Sequence, residues 1–265
     1  MRLKGRKGIV TGSSRGIGRA IARGLAREGA DVVINYHKSG EKAQKVAEKI
    51  RSMGRESLVI QADVTKKSAV KNMVKETMEA FNRIDFLVNN AGIVRKGPME
   101  DLSVEEWDRV IDVNLRGPFL CSKYIGKQMI EQRGGSIVNI SSISGLHPEI
   151  YMGAYSPSKA GLIKLSQVLA VEWAKYGIRV NAVCPGAVET PMMDEAYDAP
   201  TALKARTEAI PMKRFAKPEE IANLVVFLLS PEASYITGEY IVIDGGSVRS
   251  MYHLVHELRR HLNQK

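Results

Sequence analysis

The chain has 265 residues, of which 44% are hydrophobic and 26% are charged, a balance typical of a globular protein of one or two domains. The longest apolar run, residues 224–229, is far too short to cross a bilayer, and no secretory signal is visible at the start. Cys121 and Cys184 lack the spacing of metal ligands or of a disulfide framework. We therefore expect a cytoplasmic protein with buried thiols and without a membrane segment or a metal site.

The net charge of +10 is concentrated at the beginning of the chain, where residues 1–27 hold eight basic and no acidic side chains. Arg15, Arg19, Arg23 and Arg27 recur at every fourth position and would form one stripe on a helix. We interpret this stripe as a solvated face, with a binding strip for an anionic cofactor or partner as the alternative. Basic runs interleaved with aromatic residues are absent, so the charge does not indicate a nucleic-acid partner.

Seven short segments rich in β-branched residues alternate with helical patterns along the chain. The predicted strands are 8–11, 32–36, 58–63, 84–89, 136–141, 179–184 and 240–244. The predicted helices lie near 16–29, 41–53, 66–81, 103–132, 155–176 and 218–230. This alternation predicts an α/β fold: a single doubly wound, Rossmann-type domain of about seven parallel strands, with helices on both faces of the sheet.

Two segments fall outside the alternation, so we divide the chain into a domain of residues 1–246 and an extension of residues 247–265. An insertion at about 187–211, after the sixth strand, combines several prolines with Met192, Met193 and Tyr197, and we expect a substrate lid there. The extension is predicted to be an amphipathic helix that packs on its own domain or on a neighbouring subunit. Its apolar stripe consists of Met251, Leu254, Val255, Leu258 and Leu262.

A glycine-rich turn joins the first predicted strand to the first predicted helix. Its spacing is G-x-x-x-G-x-G, and no Gly-Lys-Ser/Thr follows, which excludes a P-loop. Such a turn lets backbone N–H groups at a helix N-terminus approach a pyrophosphate, so we predict a dinucleotide site. The candidate contacts in the turn are Gly12, Ser14, Arg15, Gly16, Ile17 and Gly18.

The residues after the second strand indicate which dinucleotide is bound. An NAD site usually offers an acid there for the ribose 2′-hydroxyl, whereas this chain reads Tyr36-His37-Lys38. Together with Arg15 in the glycine turn, these cations favour a 2′-phosphate. We expect NADP(H) to be the preferred cofactor and NAD(H) to be a possible one, with Tyr36 and His37 among the contacts.

A tyrosine and a lysine four residues apart, Tyr155 and Lys159, would lie one turn from each other on one face of a helix. Taken alone, the pair would be interpreted as an ordinary tyrosine and lysine on the surface of a helix. Further motifs occur with it in a fixed order: Asp63-Val64, Asn90-Ala91-Gly92, Asn114, Ser142, Pro185-Gly186 and Thr190. With them, residues 4–246 resemble the short-chain dehydrogenases/reductases of about 250 residues.

The resemblance implies a catalytic set of Asn114, Ser142, Tyr155 and Lys159. Tyr155 would transfer the proton and Ser142 would orient the substrate oxygen. Lys159 would lower the pKa of Tyr155 and also bind the nicotinamide ribose, because a cation about 4 Å away can lower a phenol pKa by up to about three units. Asn114 would hold a water molecule of a proton relay, unless it is a helix-interior asparagine that bonds to backbone.

The same resemblance assigns the remaining cofactor contacts. Asp63 and Val64 would hold the adenine, although Asp63 could instead be a helix N-cap. Asn90 would lie beside the adenosine ribose, and His147 is a substrate contact or a plain surface residue. The other implied contacts are Ala91, Gly92, Pro185, Gly186, Val188 and Thr190.

The sequence leaves the substrate open between two kinds of small carbonyl or alcohol. One is a 3-oxoacyl group on an acyl-carrier protein, which related reductases dock through basic residues near the mouth of the site. Arg133 matches the first docking position, but Tyr176 with adjacent Lys175 stands at the second. The other is a sugar or polyol, and a cofactor-binding sensor without turnover is a third, different class of function.

We also expect a homotetramer or homodimer, because helices 115–132 and 155–176 carry more apolar residues than one sheet face can bury. These residues are Phe119, Leu120, Tyr124, Ile125, Ile163 and Val168.

Overall fold

The computed structural model describes residues 1–191 and 200–250 of the chain. In this part, seven strands form a single sheet in the order β3-β2-β1-β4-β5-β6-β7, and every neighbouring pair is parallel. The strands are β1 (Lys7–Val10), β2 (Asp31–Tyr36), β3 (Ser57–Gln61), β4 (Phe86–Asn89), β5 (Gly135–Ile140), β6 (Ile178–Pro185) and β7 (Tyr240–Ile243). The predicted doubly wound α/β fold is confirmed.

Helices connect successive strands and cover both faces of the sheet. They are α1 (Gly16–Arg27), α2 (Gly40–Arg51), α3 (Lys67–Phe81), α4 (Val104–Ile111), α5 (Gly117–Glu131), α6 (Tyr155–Trp173), α7 (Pro200–Ala209) and α8 (Pro218–Leu229). Helix α7 lies within the segment predicted to be a lid. The predicted lid residues Met192, Met193 and Tyr197, and the predicted stripe from Met251 onward, lie outside the described residues.

The single helix predicted for 103–132 is divided by a π-helical turn, Asp112–Arg116. Proline has no backbone N–H, so Pro118 cannot donate to the carbonyl of Asn114 as an α-helical residue would. The turn widens where this bond is missing, and the side chain of Asn114 is fully buried beside the sheet. The apolar pattern is the same on both sides of the break, which is why periodicity alone predicts one helix.

Two apolar layers hold the helices against the sheet. Alternate residues of β1 face opposite sides, with Val10 in the layer under α1 and α8 and Ile9 in the layer under α3, α5 and α6. Ile21 and Val225 join the first layer, and Ile125 joins the second. Strands buried on both faces have nearly continuous apolar sequences, as these do.

Neighbouring strands β1 and β4 lead their crossovers to opposite sides, which opens a crevice at the carboxyl ends of the strands. The loops after β1, β2, β3, β4, β5 and β6 therefore converge at one edge of the sheet.

No helix in the described part of the chain is long and apolar enough to cross a membrane.

The apolar residues that we expected on an oligomer face separate into two groups. Leu120, Ile125 and Ile163 pack into the core of the chain itself, so they are not part of the apolar surplus that we expected. Phe119 and Val168 are 42% and 45% exposed.

Candidate active site

The glycine turn between β1 and α1 is fixed by side-chain amides. Gly12 has a φ of +62°, which favours glycine, and its N–H donates to Oδ1 of Asn35 over 3.2 Å. Asn90 Nδ2 donates to the carbonyls of Thr11 (2.9 Å) and Gly12 (3.1 Å). A Cβ at Gly18 would collide with that same amide of Asn90. The turn can therefore keep its shape without a ligand.

Thr11 and Asn35 support the turn and were not singled out from the sequence. The hydroxyl of Thr11 accepts from the N–H groups of Asn90 and Ala91 over 3.0 and 3.1 Å, which ties the loop after β4 to the loop after β1. Asn35 also donates to the carbonyl of Ala62 over 3.1 Å. The signal that could have identified both is a buried polar residue at the carboxyl end of an apolar strand.

One cavity of about 980 Å³ runs along this edge of the sheet and is large enough for a dinucleotide with a small substrate. The catalytic candidates Ser142, Tyr155 and Lys159 line it, whereas Asn114 does not. The predicted cofactor contacts that line it are Gly12, Ser14, Arg15, Gly16, Ile17, Gly18, Tyr36, His37, Asp63, Val64, Asn90, Ala91, Gly92, Pro185, Gly186, Val188 and Thr190.

One end of the cavity is basic. Arg15 stands at the N-cap position of α1 without capping the helix through its side chain, and His37 and Lys38 are exposed at the end of β2. Nε2 of His37 lies 3.9 Å from Oδ2 of Asp63. No carboxylate ends β2, so the described residues at this end suit a 2′-phosphate better than a free 2′-hydroxyl.

Asp63 is not a helix N-cap, because that position belongs to Lys66 and α3 begins at Lys67. Its Oδ1 accepts instead from the N–H and the hydroxyl of Thr65, over 3.0 and 2.8 Å, in a local turn. Burial opposes the charge of Asp63, but the two bonds from Thr65 together with the nearby His37 lower its pKa. A charged acceptor therefore lines the cavity next to Val64.

Tyr155 and Lys159 lie on the first turns of α6, next to Ser142, which directly follows the end of β5. The hydroxyl of Ser142 is close enough to that of Tyr155 to favour the charged phenolate. Lys159 is only 4% exposed, and its Nζ donates to the carbonyl of Ile140 over 2.8 Å. This bond leaves two N–H donors of the ammonium for other acceptors.

Burial dominates the titration of this pair. It lowers the pKa of Lys159 to about 8, and it raises the pKa of Tyr155. The hydrogen bond from Ser142 opposes the second effect, whereas the negative charge of Glu149 adds to it.

The expectation that Lys159 brings the phenol pKa below its ordinary value is therefore wrong for this structure. Nζ lies 5.5 Å from the centroid of the Tyr155 ring and donates to the carbonyl of Ile140. The cost of burying a phenolate is larger than the attraction of this cation, so the pKa of Tyr155 is raised.

Asn114 fastens the loop after β4 rather than bonding to its own helix. Its amide exchanges two 2.9 Å bonds with the backbone of Ile93 and donates to Ser158 over 3.1 Å. A Cβ at Gly92 would lie 3.4 Å from Oδ1 of Asn114 and 3.6 Å from Nζ of Lys159, so both side chains border the same small space. Asn114 thus lies inside a helical turn and bonds to backbone, as the alternative interpretation expected, although this backbone belongs to the loop after β4. The water of the proposed relay stays a prediction.

A second charged pair lies across the cavity from the glycine turn. Nη1 of Arg206, on α7, is 3.6 Å from Oε1 of Glu149, in the loop between Ser142 and α6. Both residues line the cavity, and no sequence pattern indicated them, because α7 was not predicted. His147, on the same loop, is exposed and is not among the described residues that line the cavity.

Arg133 and Lys175 lie at the opposite edge of the sheet. They precede β5 and β6, whereas Tyr155 and Ser142 lie beyond the carboxyl ends of the parallel strands. The six residues of β5 span about 20 Å, so neither cation is near the mouth of this chain's own cavity. The expectation of a docking position at that mouth is wrong for a single chain.

The residues present fit a dinucleotide. The cavity is lined by a preformed glycine turn, the N-terminus of α1 and a basic end, and it extends without interruption from there to Tyr155.

No three His, Cys, Asp or Glu side chains in residues 1–191 and 200–250 are grouped so as to hold a metal ion. Cys121 and Cys184 are free and fully buried, as predicted.

Comparison with known proteins agrees with this geometry. A short-chain dehydrogenase/reductase family model, described as enoyl-(acyl carrier protein) reductase, matches residues 12–248. A 3-oxoacyl-[acyl-carrier-protein] reductase of Staphylococcus epidermidis is 46% identical over 239 residues, which cover 90% of this chain and 97% of the relative.

Two solved structures are similar throughout. A short-chain dehydrogenase from Burkholderia cenocepacia, in complex with NADP, is 39% identical with a TM-score of 0.87 and covers 93% of this chain and 99% of its own. A protein from Agrobacterium tumefaciens, described as a putative gluconate dehydrogenase, is 37% identical with a TM-score of 0.89 and covers 92% and 96%. The chain belongs to the short-chain dehydrogenase/reductase family and is an oxidoreductase of carbonyl and alcohol groups.

Proposed function

We propose that the protein reduces 3-oxoacyl thioesters or related ketones with NADPH. The observation that carries this proposal is the adjacency of Ser142, Tyr155 and Lys159 at one end of a cavity whose other end is basic. The 46% identical relative from Staphylococcus epidermidis, named as a 3-oxoacyl reductase, supports the substrate class.

The residues of this chain would act on the substrate oxygen. Tyr155, whose raised pKa keeps the phenol protonated at neutral pH, donates its proton to the carbonyl oxygen as the carbon is reduced. The hydroxyl of Ser142 bonds to the same oxygen and fixes its position. Bound NADPH supplies the hydride, and Lys159 is placed to restore the proton of Tyr155.

The proton path would use a backbone group of the π-helical turn. The side-chain amide of Asn114 is already hydrogen-bonded to Ile93 and Ser158. Its backbone carbonyl receives no hydrogen bond from residue 118, because Pro118 has no N–H. We propose this carbonyl as the acceptor of a relay water molecule. The role of Asn114 would then rest on its backbone as much as on its amide.

A sugar or sugar-acid dehydrogenase is the second candidate. The Glu149–Arg206 pair gives the substrate half of the cavity a polar wall, which suits hydroxyl groups. The solved protein described as a putative gluconate dehydrogenase supports this alternative.

A substrate panel tests the proposal. Purified protein is mixed with NADPH or NADH and a 3-oxoacyl thioester, a simple ketone, a keto sugar acid or a 2-enoyl thioester, and nicotinamide absorbance is followed. We expect the fastest reduction with the 3-oxoacyl thioester and NADPH, and a loss of about 10²- to 10⁴-fold in Tyr155→Phe with cofactor binding retained. Faster turnover of the sugar acid would favour the second candidate, and turnover of the enoyl compound alone would contradict both.

The partners and location follow from the same proposal. We propose a homotetramer or homodimer in the cytoplasm, and two free buried thiols are consistent with a reducing compartment. Because Arg133 and Lys175 precede β5 and β6, at the ends of these strands that are remote from the chain's own cavity, an acyl-carrier protein docked on them would have to serve a neighbouring subunit.

A further inference from the structure

The loop between β5 and α6 presents two large apolar side chains to solvent at the border of the cavity. Ile150 is 79% exposed and Tyr151 is 61% exposed. The residues on either side of this pair, Glu149 and Met152, both line the cavity. The exposed apolar surface is therefore continuous with the wall of the site, where such surfaces commonly contact a ligand.

The backbone at Tyr151 is strained and is fixed by the loop after β4. Tyr151 has a φ of +63°, in the left-handed region that bulky residues rarely adopt. Its carbonyl accepts from the N–H of Gly97 over 3.0 Å, and the next residue, Met152, pairs with Gly97 in an isolated parallel bridge. The fold thus keeps a solvent-exposed tyrosine at a strained position beside the site, an arrangement that is concentrated at ligand-binding residues.

Helix α7 adds a third exposed apolar side chain near this loop. Nη1 of Arg206 lies 3.6 Å from Oε1 of Glu149, which places this part of α7 beside the loop. Leu203 precedes Arg206 by three residues, so it lies on the same side of the helix, and it is 43% exposed. We call Ile150, Tyr151 and Leu203 the apolar rim.

We propose that the apolar rim binds the alkyl chain of the substrate and makes the protein selective for long-chain 3-oxoacyl groups. This inference rests on the function proposed above. The cavity has room for a dinucleotide and a small substrate, so a long chain attached to the carbonyl at Tyr155 must leave the cavity across its border. The alkyl chain is apolar along its whole length, and each carbon that it places on the apolar rim is removed from water.

The test compares ligands of different chain length and does not require turnover. Saturated acyl thioesters of N-acetylcysteamine with four, eight and twelve carbons are titrated by calorimetry into the full-length protein with NADP⁺ bound. The affinity should rise about 10- to 100-fold from four to twelve carbons, because part of the added chain leaves water.

A double variant, Ile150→Ser with Tyr151→Asn, should lose most of this rise while its affinity for the four-carbon thioester stays within about twofold. Asparagine tolerates a positive φ, so the loop should keep its conformation. Tyr151→Phe retains the apolar surface and should retain the rise. Tyr235→Asn is the matched control, because Tyr235 is fully exposed before β7, at the opposite edge of the sheet.

Reduction of 3-oxoacyl thioesters of the same three lengths by NADPH separates this inference from the function on which it rests. The value of kcat/KM should rise with chain length in parallel with the affinity. The inference is wrong if the affinity is independent of chain length, or if the double variant keeps the rise. It is also wrong if the double variant has a smaller mass than the parent in light scattering, since the apolar rim would then be a subunit contact. No turnover of any length, with a length-dependent affinity that the double variant loses, would overturn the proposed reaction and support binding of the chain on the apolar rim.

Discussion

The ammonium group of Lys159 is buried, and its burial lowers the free energy of unfolding of the protein. Its pKa falls to about 8 through burial, from the ordinary value of 10.5. Between these two values the unfolded chain binds a proton that the folded chain has lost, so the free energy of unfolding should rise with pH over that window. Below about pH 8 both states are protonated, and the full cost is present.

We therefore expect Lys159→Met to remove this pH dependence and to stabilise the protein at pH 7 by up to about 3 kcal/mol, while turnover is lost. Thermal unfolding of both proteins from pH 7 to 10 provides the measurement. The difference between them isolates Lys159 from other groups that titrate in the same range. A melting temperature that is lower in the variant at every pH would contradict the cost of burial.

Arg15 should decide the choice of cofactor at the basic end of the cavity. Arg15→Ala removes a charged hydrogen-bond donor for a 2′-phosphate and should weaken NADPH binding about 10- to 100-fold while changing NADH binding little. Fluorescence titration of both cofactors gives the two dissociation constants. Arg19→Ala, on the exposed part of α1, serves as the control; equal losses for NADPH and NADH in Arg15→Ala would place the 2′-phosphate elsewhere.

At the scale of elements, the π-helical turn Asp112–Arg116 is where local chemistry departs from the helical pattern. Pro118→Ala supplies the missing N–H to the carbonyl of Asn114 and should draw the turn into a regular helix. Stability should stay level or rise by about 1 kcal/mol, whereas kcat should fall several-fold if the carbonyl holds the relay water that we propose, because the new N–H would compete with that water. Denaturant unfolding and steady-state rates measure the two effects, and an unchanged kcat would exclude a role for this carbonyl.

The strands were predictable to within a few residues, because apolar β-branched runs buried on both faces leave few alternatives. The break at Asn114 was not, since it depends on a missing donor and not on hydrophobicity. The same limit applies to the site. Tyr155, Lys159 and Ser142 were visible as a spaced motif, whereas Glu149 and Arg206 are far apart in the sequence and meet only because α7 places Arg206 at the cavity.

The pKa shifts of Tyr155 and Lys159 could not be predicted from their spacing in the sequence. Tyr155 and Lys159 are one helical turn apart in the sequence and in the structure, but the direction of the Lys159 ammonium is set by the carbonyl of Ile140, on another element. Burial by the surrounding loops then outweighs the pairwise attraction. Such effects depend on the three-dimensional neighbourhood of both groups.

At the scale of the whole molecule, exposed apolar side chains on α5 and α6 mark the face that the proposed oligomer would use. Phe119, Val168 and Val171 are 42%, 45% and 81% exposed. We expect Phe119→Glu combined with Val171→Glu to lower the oligomer mass in light scattering, because buried like charges would face each other across the interface. The exposed Tyr235→Glu, on another surface, should leave the mass unchanged; a monomeric parent protein would contradict the proposed assembly.

The strand order also governs how the chain can fold. β1 lies between β2 and β4, and its pairing of Gly8 with Phe86 joins residues that are far apart in the sequence. Parallel pairing over such separations slows folding, because a long segment must be ordered before the contact forms. During synthesis, the glycine turn thus exists before the strand and the Asn90 amide that brace it. A ligand that needs both sides of the crevice cannot assist the earliest steps of folding, and it can stabilise the protein only after β4 has docked beside β1.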